Sequence, residues 1–314
     1  MKLSRMLKAA TAMVAVAGLG VAMAVPAGAD PEHGDFHWEH GHISRTSTCT
    51  GTVASPGVLA GSYANVVVAG VCFVNGGAAT IAGDLIIAPT GALNATFALN
   101  DMTGTGTSSL TVNHDVVVQR GGVLVMGCEP KFSECSDDTD PHGGVLTGQN
   151  TVHGDLFAYA PLGVVVHAST IGGTVFEQGG GGGVNCTPSG VFAAFGSPAY
   201  SDYEDNTIGG NLAVIGLQTC WLGSLRNTVG GSLVDIGNKM ADPDAGEVLQ
   251  NTVHGNIACF ANSPAVQFGD SGAAPNVVSG FAFGQCGFNV MSPDPNYPNG
   301  DGTGGPQPIS VKAA

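Results

Sequence analysis

The chain has 314 residues, 50 of them glycine, with 11% charged and 6% aromatic side chains and a formal net charge of −15. Glycine at about twice its usual share of roughly 7%, with so few long side chains, argues against a helical bundle and against a conventional enzyme core. A mean hydropathy of +0.22 excludes a wholly disordered chain, which combines low hydrophobicity with dense charge, and the acidic balance excludes nucleic-acid binding, which needs clustered Lys and Arg.

In chain order, Lys2, Arg5 and Lys8 precede an apolar run from Ala9 to Val25, followed by Ala27-Gly28-Ala29. This is the pattern of an export signal with a small-residue cleavage site, so residues 1–29 are expected to be a signal peptide. The run is short and glycine-interrupted, and no later stretch is apolar enough to span a bilayer. The expected product is a secreted or cell-envelope protein with no integral membrane segment after cleavage.

Residues 30–48 follow as a polar segment carrying His33, His37, His40 and His42 among carboxylates. Four imidazoles within ten residues are candidate ligands for a borderline divalent metal such as Zn²⁺, Cu²⁺ or Ni²⁺, although short histidine-rich tails also occur without a specific site. No other cofactor is implied.

From residue 49 to about 290 one short pattern recurs, close to [NSA]-T-[VI]-x-G-[ND]-[LV]. Copies begin at Ala79, Asn150, Ser169, Asn206, Asn227 and Asn251; degenerate ones run from Leu110 to Val116, where His114 replaces the glycine, and from Asn276 to Ala282. From Gly154 the marker glycine advances to Gly173, Gly210, Gly231, Gly255 and Gly280. A unit of about 20 to 25 residues fits if the long step from Gly173 to Gly210 holds either an insertion, for which Gly179 to Gly183 is a candidate, or two turns of chain. Each unit alternates apolar and small polar residues with period two, which is strand behaviour, and amphipathic helical spacing is missing.

Repeated strands without crossover helices can wind so that each coil covers the last. The expected fold is therefore all-β: a single-stranded right-handed parallel β-helix with irregular loops and disulfides. Val, Ile and Leu should form internal ladders, Asn150, Asn206, Asn227 and Asn251 should stack at a turn, and the glycines should sit at corners, where a positive φ is open to them and a Cβ would clash. The Pro/Gly tail from 291 to 314 is expected to be disordered.

All eight cysteines lie after the signal, and with no C-x-x-C pair an even count favours four disulfides. Sequential pairing is the simplest arrangement, because Cys128 and Cys135 bracket a short acidic loop and other neighbours lie one or two repeats apart.

Candidate chemistry is sparse. Acidic groups at Glu134 to Asp140, Asp202 to Asp205 and Asp242 to Glu247 are expected as solvated loop charge, since none has the spacing of a calcium loop. Aromatics and carboxylates gather at Tyr200, Asp202, Tyr203, Glu204 and Asp205, with Trp221 soon after, as a loop able to stack on sugars or to dock a protein. Asp137-Asp138 with His153-Gly154 resembles the pectin-degrading β-helix hydrolases only faintly, because that family's Asn-Thr-Asp and Arg-x-Lys elements are absent. No Gly-x-Ser-x-Gly elbow, H-E-x-x-H or phosphate loop occurs.

The stretches S-P-A-Y-S-D-Y-E-D-N-T-I-G-G (Ser197 to Gly210), C-W-L-G (Cys220 to Gly223), A-D-P-D-A (Ala241 to Ala245) and N-S-P-A-V-Q-F-G-D-S (Asn262 to Ser271), with the five-glycine run, carry a resemblance. It is to a family of uncharacterised secreted actinobacterial β-helix-like proteins, over Cys49 to about Phe288. The pattern T-[VI]-x-G-[ND]-[LV] is loosely similar to bactofilin-type polymerising β-helices. Neither resemblance implies an activity. The reading that follows is a secreted structural or surface-binding β-solenoid of the cell envelope, with cell-wall glycan or a second copy of itself as partner. The alternatives are a carbohydrate-active hydrolase or lyase, and a metal-binding exported protein using the histidine segment.

Overall fold

The computed structural model describes residues 45–129, 135–136, 146–267 and 275–287, with the backbone of 310–311. Its strands wind as a parallel β-helix with three long sheets, visited in rotation once per coil. The first sheet starts at Thr46–Cys49 and ends at Ala282–Gly284; the second runs from Gly57–Val58 to Glu247–Leu249; the third runs from Gly61–Tyr63 to Ser310–Val311. Every pairing between these strands is parallel and in register: Thr207 faces Thr228 and Thr228 faces Thr252, so the units beginning at Asn206, Asn227 and Asn251 stack. Val175–Gln178 pairs directly with Leu212–Ile215. The long repeat step is thus one coil carrying an insertion, not two coils.

Two limits shift. The helix already includes Thr46–Cys49, so the first coil begins before residue 49. Ser310–Val311 adds a strand against Val277–Val278, inside the tail expected to lack structure. The signal segment and the four histidines at 33, 37, 40 and 42 lie outside the described residues.

Alternation places one column of apolar side chains per inward position. Val66, Leu85, Val116, Leu156, Val175, Leu212, Leu233 and Ile257 occupy successive coils of the first sheet, and all are fully buried. Each such side chain stabilises the fold by roughly 1.5–3 kcal/mol relative to exposure. A parallel sheet also needs its corners satisfied, because every backbone N–H left at a turn requires an acceptor.

The three corners meet this demand differently. Between the second and third sheets the expected asparagine stack is present from Asn206 on: Asn206 Nδ2 donates to Asn227 Oδ1, Asn227 Nδ2 to Asn251 Oδ1, and Asn251 Nδ2 to Asn276 Oδ1, at 3.0, 3.1 and 2.9 Å. Asn150 does not bond these asparagines: Ser169 stands on the coil between, and the Asn150 amide accepts from the Leu110 N–H and donates to the Ala95 carbonyl. The residues just before this stack, among them Asp205 and Arg226, are in the left-handed region with φ of 57° and 55°. The corner after the first sheet is left-handed too and is taken by Gly216 and Gly237, and by Ala160 and Ala261.

Between the third and first sheets lies the repeat's marker glycine, and here the expectation of positive φ fails. Gly154 and its counterparts are not left-handed. They are glycine because the coils approach closely: a Cβ on Gly154 would fall on Asp115 Oδ1 and against the His114 carbonyl. That oxygen is one rung of an outer column, Asn65, Asp84, Asp115, Asp155, Thr174, Asn211, Ser232 and Asn256. Each accepts the backbone N–H of the following coil at 2.6 to 3.2 Å.

All eight cysteines pair sequentially: Cys49–Cys72, Cys128–Cys135, Cys186–Cys220 and Cys259–Cys286. Near the ends of the solenoid, Cys49–Cys72 ties the first strand of the first sheet to Val71–Phe73 of the second, and Cys259–Cys286 ties Ile257–Phe260 to the 3₁₀ turn Gln285–Gly287; the inner two pin insertions. Four disulfides are a feature of proteins from oxidising compartments outside the cytoplasm. Among the described residues no helix is long and apolar enough to cross a membrane.

Candidate functional site

The functional candidates converge on the outer face of the second sheet. An insertion, residues 179–200, leaves the helix after Val175–Gln178 and returns at Ser201–Glu204; the Cys186–Cys220 bridge fastens it, and it carries a short 3₁₀ turn, Gly190–Phe195. Its Phe192 packs over Gly163, where any Cβ would meet the ring. With Ala92, Val123, Val165 and Ala199 it forms an apolar cluster separate from the main core. Between insertion and sheet remains a cavity of about 640 Å³, with a floor of Val71, Phe73, Ala92, Val123, Val125 and Val165 and a wall that includes Phe195 and Tyr200. Phe195 is 69% exposed. Tyr200 stands between Phe192 and Trp221, ring centroids 5.5 and 6.2 Å away.

The polar end of this groove is built from three strands. Gly163–His167, Ser201–Glu204 and Leu222–Leu225 are neighbours, with Val165 opposite Asp202, His167 opposite Glu204, and Glu204 opposite Leu225. Period-two alternation turns His167, Asp202 and Glu204 to the same outer face. His167 Nε2 and Asp202 Oδ2 share a hydrogen bond of 2.8 Å. Arg226, next along the chain from Leu225, binds Glu204 Oε2 and forks onto Asp205 through Nε and Nη2, at 2.8 and 3.0 Å. Burial, and then the Asp202 charge, hold the Glu204 carboxyl well above the usual carboxylate range, against the pull of Arg226. Burial, with the charges of Asp202 and Glu204, also pushes the Tyr200 hydroxyl up to about 12.

The other two residues of the strand face inward. Ser201 Oγ and Tyr203 Oη donate to Glu177 Oε1 and Oε2, each at 2.8 Å, inside the solenoid. Glu177 and Asp235 hold the same inward position two coils apart, with Val214 between them. Burial pushes both carboxyls up to about 7, the hydrogen bonds from Ser201 and Tyr203 opposing this at Glu177 and Asn238 opposing it at Asp235.

The sequence expectation is thereby divided. Tyr200, Asp202, Glu204 and Trp221 do lie together near the groove, and Asp205 joins them through Arg226. Tyr203 does not: it is fully buried in the core and has no face for a sugar. The segment expected as a loop is a strand from Ser201, and alternation separates its side chains. In two of the three acidic groups expected to be solvated the charge is largely covered, Asp202 being 4% exposed and Asp244 and Glu247 each 2%; the carboxylates of the third, Glu134 to Asp140, lie outside the described residues. His153 and His254 are exposed.

Sequence reasoning did not single out His167, Arg226, Glu177 or Asp235. The signal for the carboxylates was available: in Val175-x-Glu177 and Leu233-x-Asp235 an acid shares the parity of a core residue. Comparison with family models, with curated proteins and with solved structures returned no match. Fold and site define the class: a disulfide-stapled parallel β-helix with a groove, half apolar and half acidic, on one outer face.

Proposed function

We propose that the protein is an exported surface-binding β-solenoid that holds a cell-envelope glycan in the groove of its second sheet. The groove itself carries this reading. It is a concave site of ligand size, with an exposed aromatic ring at Phe195, the aromatic Tyr200, and a few convergent polar groups, Asn94, Thr96 and Ser136, at its edge. Apolar faces with a few fixed hydrogen-bonding groups suit rings that are apolar on one side and hydroxylated at the rim. Export is supported by the disulfides and by the leader-like residues 1–29.

One observation favours catalysis as a second reading, since Asp202 and Glu204 line one cavity in unlike environments. Their geometry favours it less. Glycosidase carboxylates flank the scissile bond from two sides, about 5 Å or more apart, whereas these two stand side by side on one strand.

The deciding measurement applies the disulfide-bonded protein, from residue 30, to immobilised cell-wall glycan and to a glycan array, read for retention and for new reducing ends. Retention without cleavage is expected. Phe195→Ala should weaken it about tenfold, the scale of one lost aromatic contact. Absence of retention on every glycan would sink the proposal, and reducing ends that vanish in Glu204→Gln would replace it with the enzymatic reading.

A further inference from the structure

We propose that His167, Asp202 and Glu204 form a binding site for one divalent transition-metal ion, open to the groove and made up of residues other than the candidate histidines 33, 37, 40 and 42. Each residue offers a ligand atom within 4.8 Å of the others, and all three line the cavity. One imidazole with two carboxylates is a donor set for a borderline ion such as Zn²⁺ or Mn²⁺. With its Nε2 deprotonated, His167 would place a nitrogen 2.8 Å from Asp202 Oδ2. Bonds of about 2.0–2.2 Å to one ion set neighbouring ligand atoms roughly 3–3.5 Å apart, so an ion would replace this hydrogen bond with a small separation of the two side chains.

One further observation points to a ligand here. Asp202 Oδ1 is buried and accepts no hydrogen bond, a costly state for a carboxylate oxygen that a cation would relieve. Opposite Asp202 in the next coil stands Gly223, where a Cβ would collide with Asp202 Oδ1, the Trp221 ring and the Leu225 side chain. The guanidinium of Arg226 contacts Glu204 and Asp205, and the His167 imidazole contacts Asp202. Arg226 holds one Glu204 oxygen as an outer partner would, and orients the carboxylate. Three protein ligands leave coordination positions for water or for an oxygen of whatever occupies the groove, as in open metal sites.

The experiment uses the disulfide-bonded chain in which His33, His37, His40 and His42 are all replaced by alanine, treated with a chelator and then titrated with Zn²⁺ and Co²⁺. We expect one Zn²⁺ per chain by calorimetry and a visible absorption band on Co²⁺ loading. Asp202→Asn should weaken Zn²⁺ binding at least tenfold, and His167→Gln, which keeps a polar side chain of similar size, should abolish the Co²⁺ band. Circular dichroism melts of both variants check that they fold. Zn²⁺ binding that disappears with the four N-terminal histidines, or that His167→Gln and Asp202→Asn leave intact in folded protein, would overturn the proposal. Glycan retention measured with and without chelator fails or survives independently of this result.

Discussion

One strand, Ser201–Glu204, serves two acidic clusters of opposite character, and the contrast shows what a solenoid does with charge. On the inner side, among the described residues, no cation contacts Glu177 or Asp235; the hydroxyls of Ser201 and Tyr203 and the Asn238 amide bond them. On the outer side Asp202 and Glu204 have an imidazole, a guanidinium and an unsatisfied oxygen. On both sides burial moves buried carboxyls toward their protonated forms. Inside, the groups that bond them are neutral donors, whereas outside they meet an imidazole and a guanidinium. The same two-residue alternation produces both, so a single insertion or deletion in 201–204 would exchange them.

The contrast can be broken most strongly with pH. Glu177 and Asp235 titrate near 7 in the folded chain, above their ordinary 4.5 and 3.8. The folded state therefore binds protons more tightly than the unfolded chain. The stability linked to these groups is complete below about pH 4 and is lost as pH rises to about 7, at about 1.4 kcal/mol per pH unit for each group. Glu177 faces Ser201, Tyr203 and Asp235, and Asp235 faces Asn238, Ser224 and Glu177, with no cation among these. Thermal melts of chelator-treated protein should therefore fall from pH 5 to pH 8 by an amount worth several kcal/mol. Glu177→Gln with Asp235→Asn should remove more than half of that fall, leaving the share of Glu204, which has the same sign. An unchanged slope would mean that the inner acids are not what titrates.

A smaller effect is expected on the outer side. Arg226→Ala strands Glu204 and Asp205, largely buried, without their cation and should cost about 2–3 kcal/mol at neutral pH, read from the denaturant midpoint. Smaller again is Tyr203→Phe, which leaves Glu177 Oε2 without its donor, at about 1–2 kcal/mol. That loss should be greater at pH 8 than at pH 5, because an ionised acceptor gains more from the bond.

Much of the fold was legible in the sequence because coil stacking repeats its demands at fixed intervals. The threonine-valine-glycine unit, the asparagine stack and the sequential cysteines each follow from one residue type meeting one corner or one neighbouring strand. The site was less legible for the same reason. His167 ends a run of three valines, and outward-facing Val165 hides the alternation because the groove floor is apolar as well. The segment from Ser201 looked like a loop because polar residues occupy both faces of the strand, so no apolar side marks it. Nor did the marker glycine disclose its reason: close approach to an oxygen one coil away and a left-handed corner select the same residue.

The outer column of short polar side chains has a direction, since each rung accepts from the coil that follows and donates to the coil before. Its final donor is the N–H of Phe281, which bonds Asn256 Oδ1, and a phenylalanine side chain offers no acceptor to a further coil. The column is thus punctuated, and residue 281 acts as its full stop. Lengthening this solenoid would require an acceptor such as Asn or Asp at that position before any new strand could join the first sheet with its turn satisfied.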